Sequence, residues 1–202
     1  MSEDKKKHWE NVYQTKTPEQ VSWTQSIPKT SLELILATNN YKTKSIIDIG
    51  GGDSNLVDFL LDNGCEDVTV LDISAEALER AKSRLGENAM RVKWIVSDIN
   101  DFVPEQSYDI WHDRAAFHFL TEQEQIERYV STARSYVNGE LIIGTFSEDG
   151  PKKCSGLHIT QYSESKMEET FKGFQKISCK AEEHITPFET TQHFIFCRFK
   201  KA

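Results

Sequence analysis

The chain has few of the residues that mark a specialised class of protein. Only four of its 202 residues are cysteine, with no Cys-x-x-Cys pair and no metal-ligand spacing with histidine. We therefore expect free, mostly structural thiols, a reducing cytoplasmic environment and no metal site. No apolar run approaches the ~18 residues that a membrane-spanning helix needs, so no membrane partner is expected. The first residues resemble neither a secretory signal nor a transit peptide, which also predicts a cytoplasmic protein.

Positive charge is scarce as well. Lys and Arg number 24 against 32 Asp and Glu, which gives a formal net charge of −8. The basic clusters are short, at 5–7, 152–153 and 200–201. Binding along a nucleic-acid backbone needs clustered Lys and Arg, so we expect no nucleic-acid partner. An apolar content of 38% predicts a globular fold with enough core for a six- or seven-stranded sheet.

The most informative segment is residues 45–53, which read SIIDIGGGD. A short β-branched apolar run, broken by Asp48, ends at three glycines. Residues 54–64 then have the apolar spacing of a helix. A strand, a glycine turn and a helix in this order let the backbone approach a nucleotide-like ligand closely.

Strand-like and helix-like segments alternate along the rest of the chain. This predicts a doubly wound, mostly parallel α/β sheet with helices on both faces. After a short helix at 164–171, two strand-like runs flank a proline turn and predict an antiparallel C-terminal hairpin. The predicted strands are 45–49, 67–72, 91–96, 108–112, 139–146, 175–182 and 191–199. The predicted helices are 29–38, 54–63, 76–85 capped by Ser74, and 121–137 with a capping box at Thr121.

Two ligand classes use such a glycine turn, dinucleotides and S-adenosylmethionine. The dinucleotide fingerprint Gly-x-Gly-x-x-Gly fails here because Asn55 occupies the third glycine position. The acids Asp48 and Asp53 would repel a pyrophosphate, whereas a methionine amino group and a sulfonium are cationic. Electrostatics therefore favour the methyl donor over a nicotinamide dinucleotide.

Acids also close three consecutive predicted strands, at Asp48, Asp72 and Asp98. In a parallel sheet these positions lie along one edge. A carboxylate at Asp72 can accept hydrogen bonds from a ribose diol, and Ser97-Asp98 can read an adenine edge. The alternative is that these acids only cap helices or end turns.

Taken together, the segments 46–53, 70–73, 96–99 and 108–113 resemble class I S-adenosylmethionine-dependent methyltransferases. The resemblance implies a Rossmann-like, seven-stranded fold with S-adenosylmethionine as cofactor. Residues 8–13 and 21–23 further resemble the branch that contains protein-lysine methyltransferases of the citrate synthase type. The implied cofactor contacts are Trp23, Asp48, Gly50, Gly51, Gly52, Asp72, Ile73, Ser97, Asp98, Ile99, Asp113 and Arg114.

Catalytic candidates lie after the fourth predicted strand. Asp113 and His118 are the predicted catalytic residues, with Glu148 a further acid or base. His118 either faces the acceptor or packs between its aromatic neighbours, and His112 is interpreted as structural. In the loop 147–158, interpreted as an acceptor-site flap, a cationic pair would lower the pKa of the Cys154 thiol if geometry allowed.

The resemblance divides the single domain 1–202 into three parts. These are a helical N-terminal extension (1–40), a cofactor-binding core (41–146) and an acceptor-side loop with the terminal hairpin (147–202). Trp9, Tyr13 and Trp23 in the extension either cover the cofactor or pin the extension to the sheet. The predicted acceptor is a protein lysine or a small molecule. A module that binds the cofactor without catalysis is the alternative.

Overall fold

The computed structural model describes residues 2–202 and contains a central seven-stranded sheet flanked by helices. The strands are β1 (Ser45–Ile49), β2 (Asp67–Asp72), β3 (Val92–Val96), β4 (Tyr108–Arg114), β5 (Val137–Phe146), β6 (Lys153–Cys154), β7 (Leu157–His158), β8 (Phe174–Ile185) and β9 (Thr191–Lys201). The helices are α1 (Ser2–Thr15), α2 (Lys29–Leu36), α3 (Leu56–Asp62), α4 (Ala75–Leu85), α5 (Gln123–Tyr136) and α6 (Glu164–Thr170).

The sheet order is β3-β2-β1-β4-β5-β9-β8. The first five strands in this order are parallel, and β9 runs antiparallel to both β5 and β8. The predicted fold class and the C-terminal hairpin are therefore confirmed. The order reverses between β1 and β4, and open α/β sheets bind ligands at such a reversal, beyond the carboxyl ends of the strands.

The alternation of side chains along β1 explains why its apolar run is nearly continuous. Ile46 belongs to an apolar cluster with residues of α2, α3 and α4 on one face of the sheet. Ile47 belongs to a second cluster with residues of α5 and α6 on the other face. Parallel strands that are covered on both faces have this composition.

Helix starts agree only in part with the predicted caps. The Ser74 hydroxyl accepts a hydrogen bond from the Ala77 amide at 3.2 Å, which confirms it as the cap of α4. The predicted capping box at Thr121 does not form. Instead α5 begins after Glu122, whose side chain makes no capping hydrogen bond.

The cysteine prediction was wrong for one pair. Cys179 and Cys197 stand opposite each other in the β8–β9 register, with Cα atoms 4.1 Å apart, and form a disulfide. Cys65 and Cys154 are free and buried. The bonded cysteines are 18 positions apart in sequence, and only strand pairing brings them together.

Within residues 2–202, no helix is both long and apolar enough to cross a membrane.

The carboxylate of Glu10 on α1 forms hydrogen bonds with the N-terminus of α4. Glu10 accepts hydrogen bonds from the Ser74 hydroxyl at 2.8 Å and from the amides of Ala75 and Glu76 at 2.9 and 3.1 Å. Burial alone raises the pKa of Glu10, but these hydrogen bonds bring it below its usual value. A side chain distant in sequence thus satisfies the free amides of a helix N-terminus.

We expect Glu10→Ala to lower the free energy of unfolding by about 0.5–2 kcal/mol, the usual cost of a lost helix cap. Because the folded-state pKa of Glu10 is lowered, its stabilisation is present above its ordinary pKa of about 4 and fades as the pH falls through the folded value. Urea denaturation at pH 7 and pH 4 measures both effects. Glu3→Ala, at an exposed ion pair on the same helix, is the matched control; equal losses in the two variants would contradict the capping role.

Candidate functional site

A cavity of about 950 Å³ opens at the carboxyl ends of β1, β2, β3 and β4. Its walls come from the glycine turn, the ends of these strands, the N-terminal segment and the end of β8. The cavity therefore lies at the reversal of strand order. Of the predicted site residues, it is lined by Trp23, Asp48, Gly50, Gly51, Asp72, Ile73, Ser97, Asp98, Ile99 and Arg114.

The glycine turn leaves no room for side chains. Gly50 has a φ of +66°, which favours glycine. At Gly51, a Cβ would lie 2.6 Å from an Asp48 carboxylate oxygen and 2.7 Å from a Val70 methyl group. The packing of the turn against Asp48 and Val70 therefore requires glycine at position 51. Gly52 lies off the cavity wall, where a Cβ would meet the Tyr13 hydroxyl at 2.7 Å.

The Asp48 carboxylate is oriented by two further polar side chains of the cavity wall. Its Oδ1 lies 2.7 Å from Nδ1 of His112, whose Nε2 lies 2.9 Å from the Ser31 hydroxyl. All three residues are buried, and all three line the cavity. The chain of contacts joins the end of β1 to β4 and to α2. His112 thus has partners on both ring nitrogens, as the structural interpretation predicts.

Asp72 is a buried carboxylate with a strongly perturbed pKa. Its Oδ1 accepts a hydrogen bond from the Ser74 amide at 2.8 Å. Burial, assisted by repulsion from Asp53 and Asp48, raises the pKa of Asp72 to about 7 despite backbone hydrogen bonds from Ser74 and Gly52. A ligand that donates hydrogen bonds to this carboxylate would favour its ionised form.

The segment after β3 forms the neighbouring wall. The Ser97 amide donates to the Asp72 carbonyl at 2.9 Å, and this places the two strand ends side by side. The Asp98 carboxylate accepts a hydrogen bond from the Asn100 amide at 2.9 Å, which orders the turn, and Asp98 lines the cavity. Carboxylates after β1, β2 and β3 therefore do share one cavity, as predicted.

Aromatic rings close the cavity opposite the sheet. Trp9 packs edge-on against Trp23 and Phe119, with ring centroids 5.6 and 5.1 Å apart, and Tyr13 lies 6.4 Å from Trp23. All four rings line the cavity. The rings also join the N-terminal extension to the loop after β4. The two predicted roles, covering the cavity and packing the extension against the sheet, are therefore compatible.

The two predicted catalytic residues lie off the cavity wall, and their catalytic role stays a prediction. Asp113 is fully buried; its Oδ1 accepts from the amides of Ala116 and Phe117 at 3.0 Å each, and its Oδ2 accepts from the Tyr129 hydroxyl at 2.9 Å. Its carboxylate is thus occupied with shaping the turn after β4. The interpretation of Asp113 as a cofactor contact likewise stays a prediction.

His118 is likewise fully buried, and its ring stacks on Phe146 with centroids 4.6 Å apart. Burial, with Arg114 nearby, lowers the pKa of His118 to about 3, so the imidazole is neutral. This matches the packed alternative. Glu148 is exposed and does not contribute to the cavity either.

Cys154 does reach the cavity, but the geometry does not lower the pKa of its thiol. Burial raises the pKa of the Cys154 thiol to about 11, because it outweighs a hydrogen bond with Ser22 and the charge of Arg114. The lysines at 152 and 153 are exposed and do not lower it. The thiol is therefore protonated at neutral pH.

Several cavity residues gave no signal in the sequence. The end of β8, residues 182–187, reaches over the cavity because the long hairpin extends beyond the parallel strands. His184 there lies 2.7 Å from the Ser22 carbonyl through its Nε2. Ser31 and Arg84 also line the cavity. Among these residues, only segment 182–187 could have been suggested by the sequence, through the unusual length of the hairpin strands.

Comparison with known proteins gives one family match and several partial relatives. Residues 46–139 match a family described as a methyltransferase domain. A malonyl-[acyl-carrier protein] O-methyltransferase of Anoxybacillus flavithermus is 29% identical over 106 residues, covering 52% of this chain and 40% of that protein. A similar enzyme of Ilyobacter polytropus is 29% identical over 79 residues, covering 39% of this chain and 29% of the relative. The chain thus spans well under half the length of these relatives.

Solved structures share the fold over nearly the whole chain. The crystal structure of an S-adenosylmethionine-dependent methyltransferase from Anabaena variabilis superposes with a TM-score of 0.78 at 16% identity, covering 100% of this chain and 95% of that one. The N-methyltransferase NodS from Bradyrhizobium japonicum, bound to S-adenosylhomocysteine, gives 0.69 at 17% identity, covering 86% and 85%. At such identities these likenesses show the fold.

Proposed function

We propose that this protein is an S-adenosylmethionine-dependent methyltransferase, because residues 46–139 match a methyltransferase-domain family and the chain shares the fold of a solved S-adenosylmethionine-dependent methyltransferase. The observation that carries the proposal is the set of carboxylates after β1, β2 and β3 on one cavity of about 950 Å³. A cavity of this size holds a nucleoside with an amino-acid tail and leaves space for an acceptor.

The cavity residues fit the cofactor group by group. In the proposal, Asp72 accepts the ribose diol, Ser97 and Asp98 read the adenine, and Ile73 and Ile99 flank it. The methionine part lies against the turn at Gly50 and Gly51, which both line the cavity. The negative surroundings set by Asp48 and Asp72 suit a sulfonium better than a pyrophosphate.

The protein's task in the reaction is mainly alignment and exclusion of water. Bound S-adenosylmethionine supplies an electrophilic methyl group on a good leaving group. The aromatic wall of Trp9, Trp23 and Phe119 shields the cavity from solvent, and the strand-end acids hold the nucleoside in one orientation. The acceptor then enters between the turn after β4 and the end of β8.

The acceptor proposed is a small molecule or a carrier-bound small group. Two curated relatives are described as malonyl-[acyl-carrier protein] O-methyltransferases, and one structural neighbour as a 1,6-didemethyltoxoflavin-N1-methyltransferase. None of these relatives is described as acting on a protein lysine, so we do not extend the proposal to one.

Two measurements test the proposed function. Calorimetry should show one S-adenosylhomocysteine bound per chain and no binding of NADH. Incubation with tritiated S-adenosylmethionine and cell extract should then place label in the small-molecule fraction, or on a carrier protein from which neutral hydroxylamine releases it. Failure to bind S-adenosylhomocysteine would contradict the proposal, and binding without any labelled product would instead favour a non-catalytic module. Label confined to protein and resistant to neutral hydroxylamine would overturn the acceptor class alone.

A further inference from the structure

The side chain of Arg114 carries an unusual pattern of satisfied and unsatisfied donors. Its Nη1 donates to the Trp23 carbonyl at 3.0 Å. Its Nε and Nη2 are shielded from solvent and have no hydrogen-bond partner within residues 2–202. Buried guanidinium donors are ordinarily paired, because leaving them unpaired is costly. These two nitrogens therefore need an explanation.

The pair left free has a particular geometry. Nε–H and Nη2–H lie on the same edge of the planar guanidinium and point in parallel. This edge matches the two oxygens of a carboxylate, which it can bind through two parallel hydrogen bonds. The occupied donor, Nη1, lies on the other edge. The Trp23 carbonyl thus orients the guanidinium and leaves its fork, the edge formed by Nε–H and Nη2–H, without a partner.

In the part of the chain that the structure describes, no side chain supplies that carboxylate. Asp48 and Glu182 are near enough to act on Arg114 electrostatically, but neither satisfies its free nitrogens. Asp48 is engaged by His112, and Glu182 accepts a hydrogen bond from Gln25 at 3.2 Å. Burial lowers the pKa of Arg114 to about 10, which leaves it charged at neutral pH. The positive charge of the Arg114 guanidinium therefore has no carboxylate hydrogen-bonded to it among residues 2–202.

The position of Arg114 distinguishes the acceptor from the cofactor as the source of the carboxylate. Arg114 ends β4, and its side chain extends away from β1 towards β9, with the guanidinium carbon 5.0 Å from the centroid of the Phe194 ring. The strand-end acids proposed for the nucleoside, Asp72 and Asp98, lie on the opposite side of β1. Cys154 and the end of β8 share the Arg114 side of the cavity.

We infer that Arg114 is a specificity residue that binds a carboxylate of the methyl acceptor through Nε and Nη2. This inference rests on the proposed function and names the acceptor class for the same site. Because both nitrogens are closed to water, the acceptor must displace neighbouring wall side chains when it enters. The same fork could take the methionine carboxylate of the cofactor, and the experiment separates the two sources.

The test uses acetate, malonate and phenylacetate, each compared with its amide, titrated into the full chain saturated with S-adenosylhomocysteine and followed by NMR. We expect at least one carboxylate to bind more tightly than its amide. Arg114→Gln should weaken that carboxylate about 10- to 100-fold, the usual worth of charge-assisted hydrogen bonds, and change S-adenosylhomocysteine affinity less than threefold. Arg114→Lys should recover only part of the loss, because it keeps the charge without the fork.

Lys153→Gln is the matched control, since it removes one positive charge from an exposed position off the cavity. It should leave carboxylate binding unchanged. No preference for any carboxylate in the wild-type protein overturns the inference, and this arm needs no variant to fold. A large loss of S-adenosylhomocysteine affinity in Arg114→Gln assigns the fork to the cofactor and also overturns it. If the wild-type protein does not bind S-adenosylhomocysteine at all, the proposed function itself has failed.

Discussion

Asp72→Asn is expected to weaken S-adenosylhomocysteine binding about 10- to 100-fold at pH 8 while making the ligand-free protein more stable. The loss of affinity follows if the carboxylate accepts charge-assisted hydrogen bonds from the ribose diol. An asparagine oxygen can still accept from the Ser74 amide, whereas the Gly52 amide loses its carboxylate acceptor and offsets part of the gain in stability. Calorimetry of wild type and variant measures the first effect.

The gain in stability follows from the raised pKa of Asp72. Its pKa is about 7 in the folded protein against an ordinary value near 4, so ionisation opposes folding. The penalty develops as the pH rises from about 4 and is complete above about 7. Removing it should add on the order of 2–4 kcal/mol to the free energy of unfolding at pH 8, and less at pH 5.

Urea denaturation of the ligand-free protein at both pH values checks this sign. Asp62→Asn, the same change at an exposed position on α3, should alter neither stability nor binding. Wild-type affinity for S-adenosylhomocysteine should also fall as the pH drops through about 7, since the bound state needs the ionised carboxylate. An Asp72 variant with unchanged affinity and no pH-dependent gain in stability would remove Asp72 from the site.

Asp113→Ala is expected to lower the free energy of unfolding by about 3 kcal/mol or more. The change leaves three buried donors without an acceptor, the amides of Ala116 and Phe117 and the hydroxyl of Tyr129, each costing about 1–3 kcal/mol. The turn that carries Ala115, Ala116 and Phe119 into the cavity wall should loosen with it. Denaturation curves at pH 7 measure the effect.

Asp113→Asn separates a structural role from a catalytic one. The asparagine oxygen can still accept from both amides, and its NH₂ group can donate to the Tyr129 hydroxyl. That hydroxyl already accepts from Trp111 Nε1 and would lose the acceptor for its own proton, so we expect Asp113→Asn to cost about 1–3 kcal/mol, less than Asp113→Ala. If Asp113 only shapes the turn, methyl transfer by the folded Asn variant should stay within a few-fold of wild type. A folded Asn variant with abolished turnover would support the catalytic assignment that the buried position argues against.

The cofactor side of the site followed closely from sequence, and the acceptor side did not. Glycine turns and acids at strand ends are local features, and a parallel sheet brings strand ends to one edge wherever the chain crosses over. Asp48, Asp72 and Asp98 therefore met in one cavity as expected. His118 could not be placed in this way, because its spacing in a semi-apolar segment fits a packed ring as well as an exposed base.

Local sequence patterns were enough to predict the alternating elements, the glycine turn and the terminal hairpin, and to favour a sulfonium over a pyrophosphate as the proposed ligand. These depend on periodicity, turn chemistry and the sign of nearby charge, all of which act over a few residues. Only the folded structure shows that Asp113 and His118 are buried off the cavity wall, that Cys179 pairs with Cys197, and that Arg114 has two buried donors without a partner among residues 2–202. Burial and pairing depend on segments far apart in the chain, and only the folded protein specifies which of them meet.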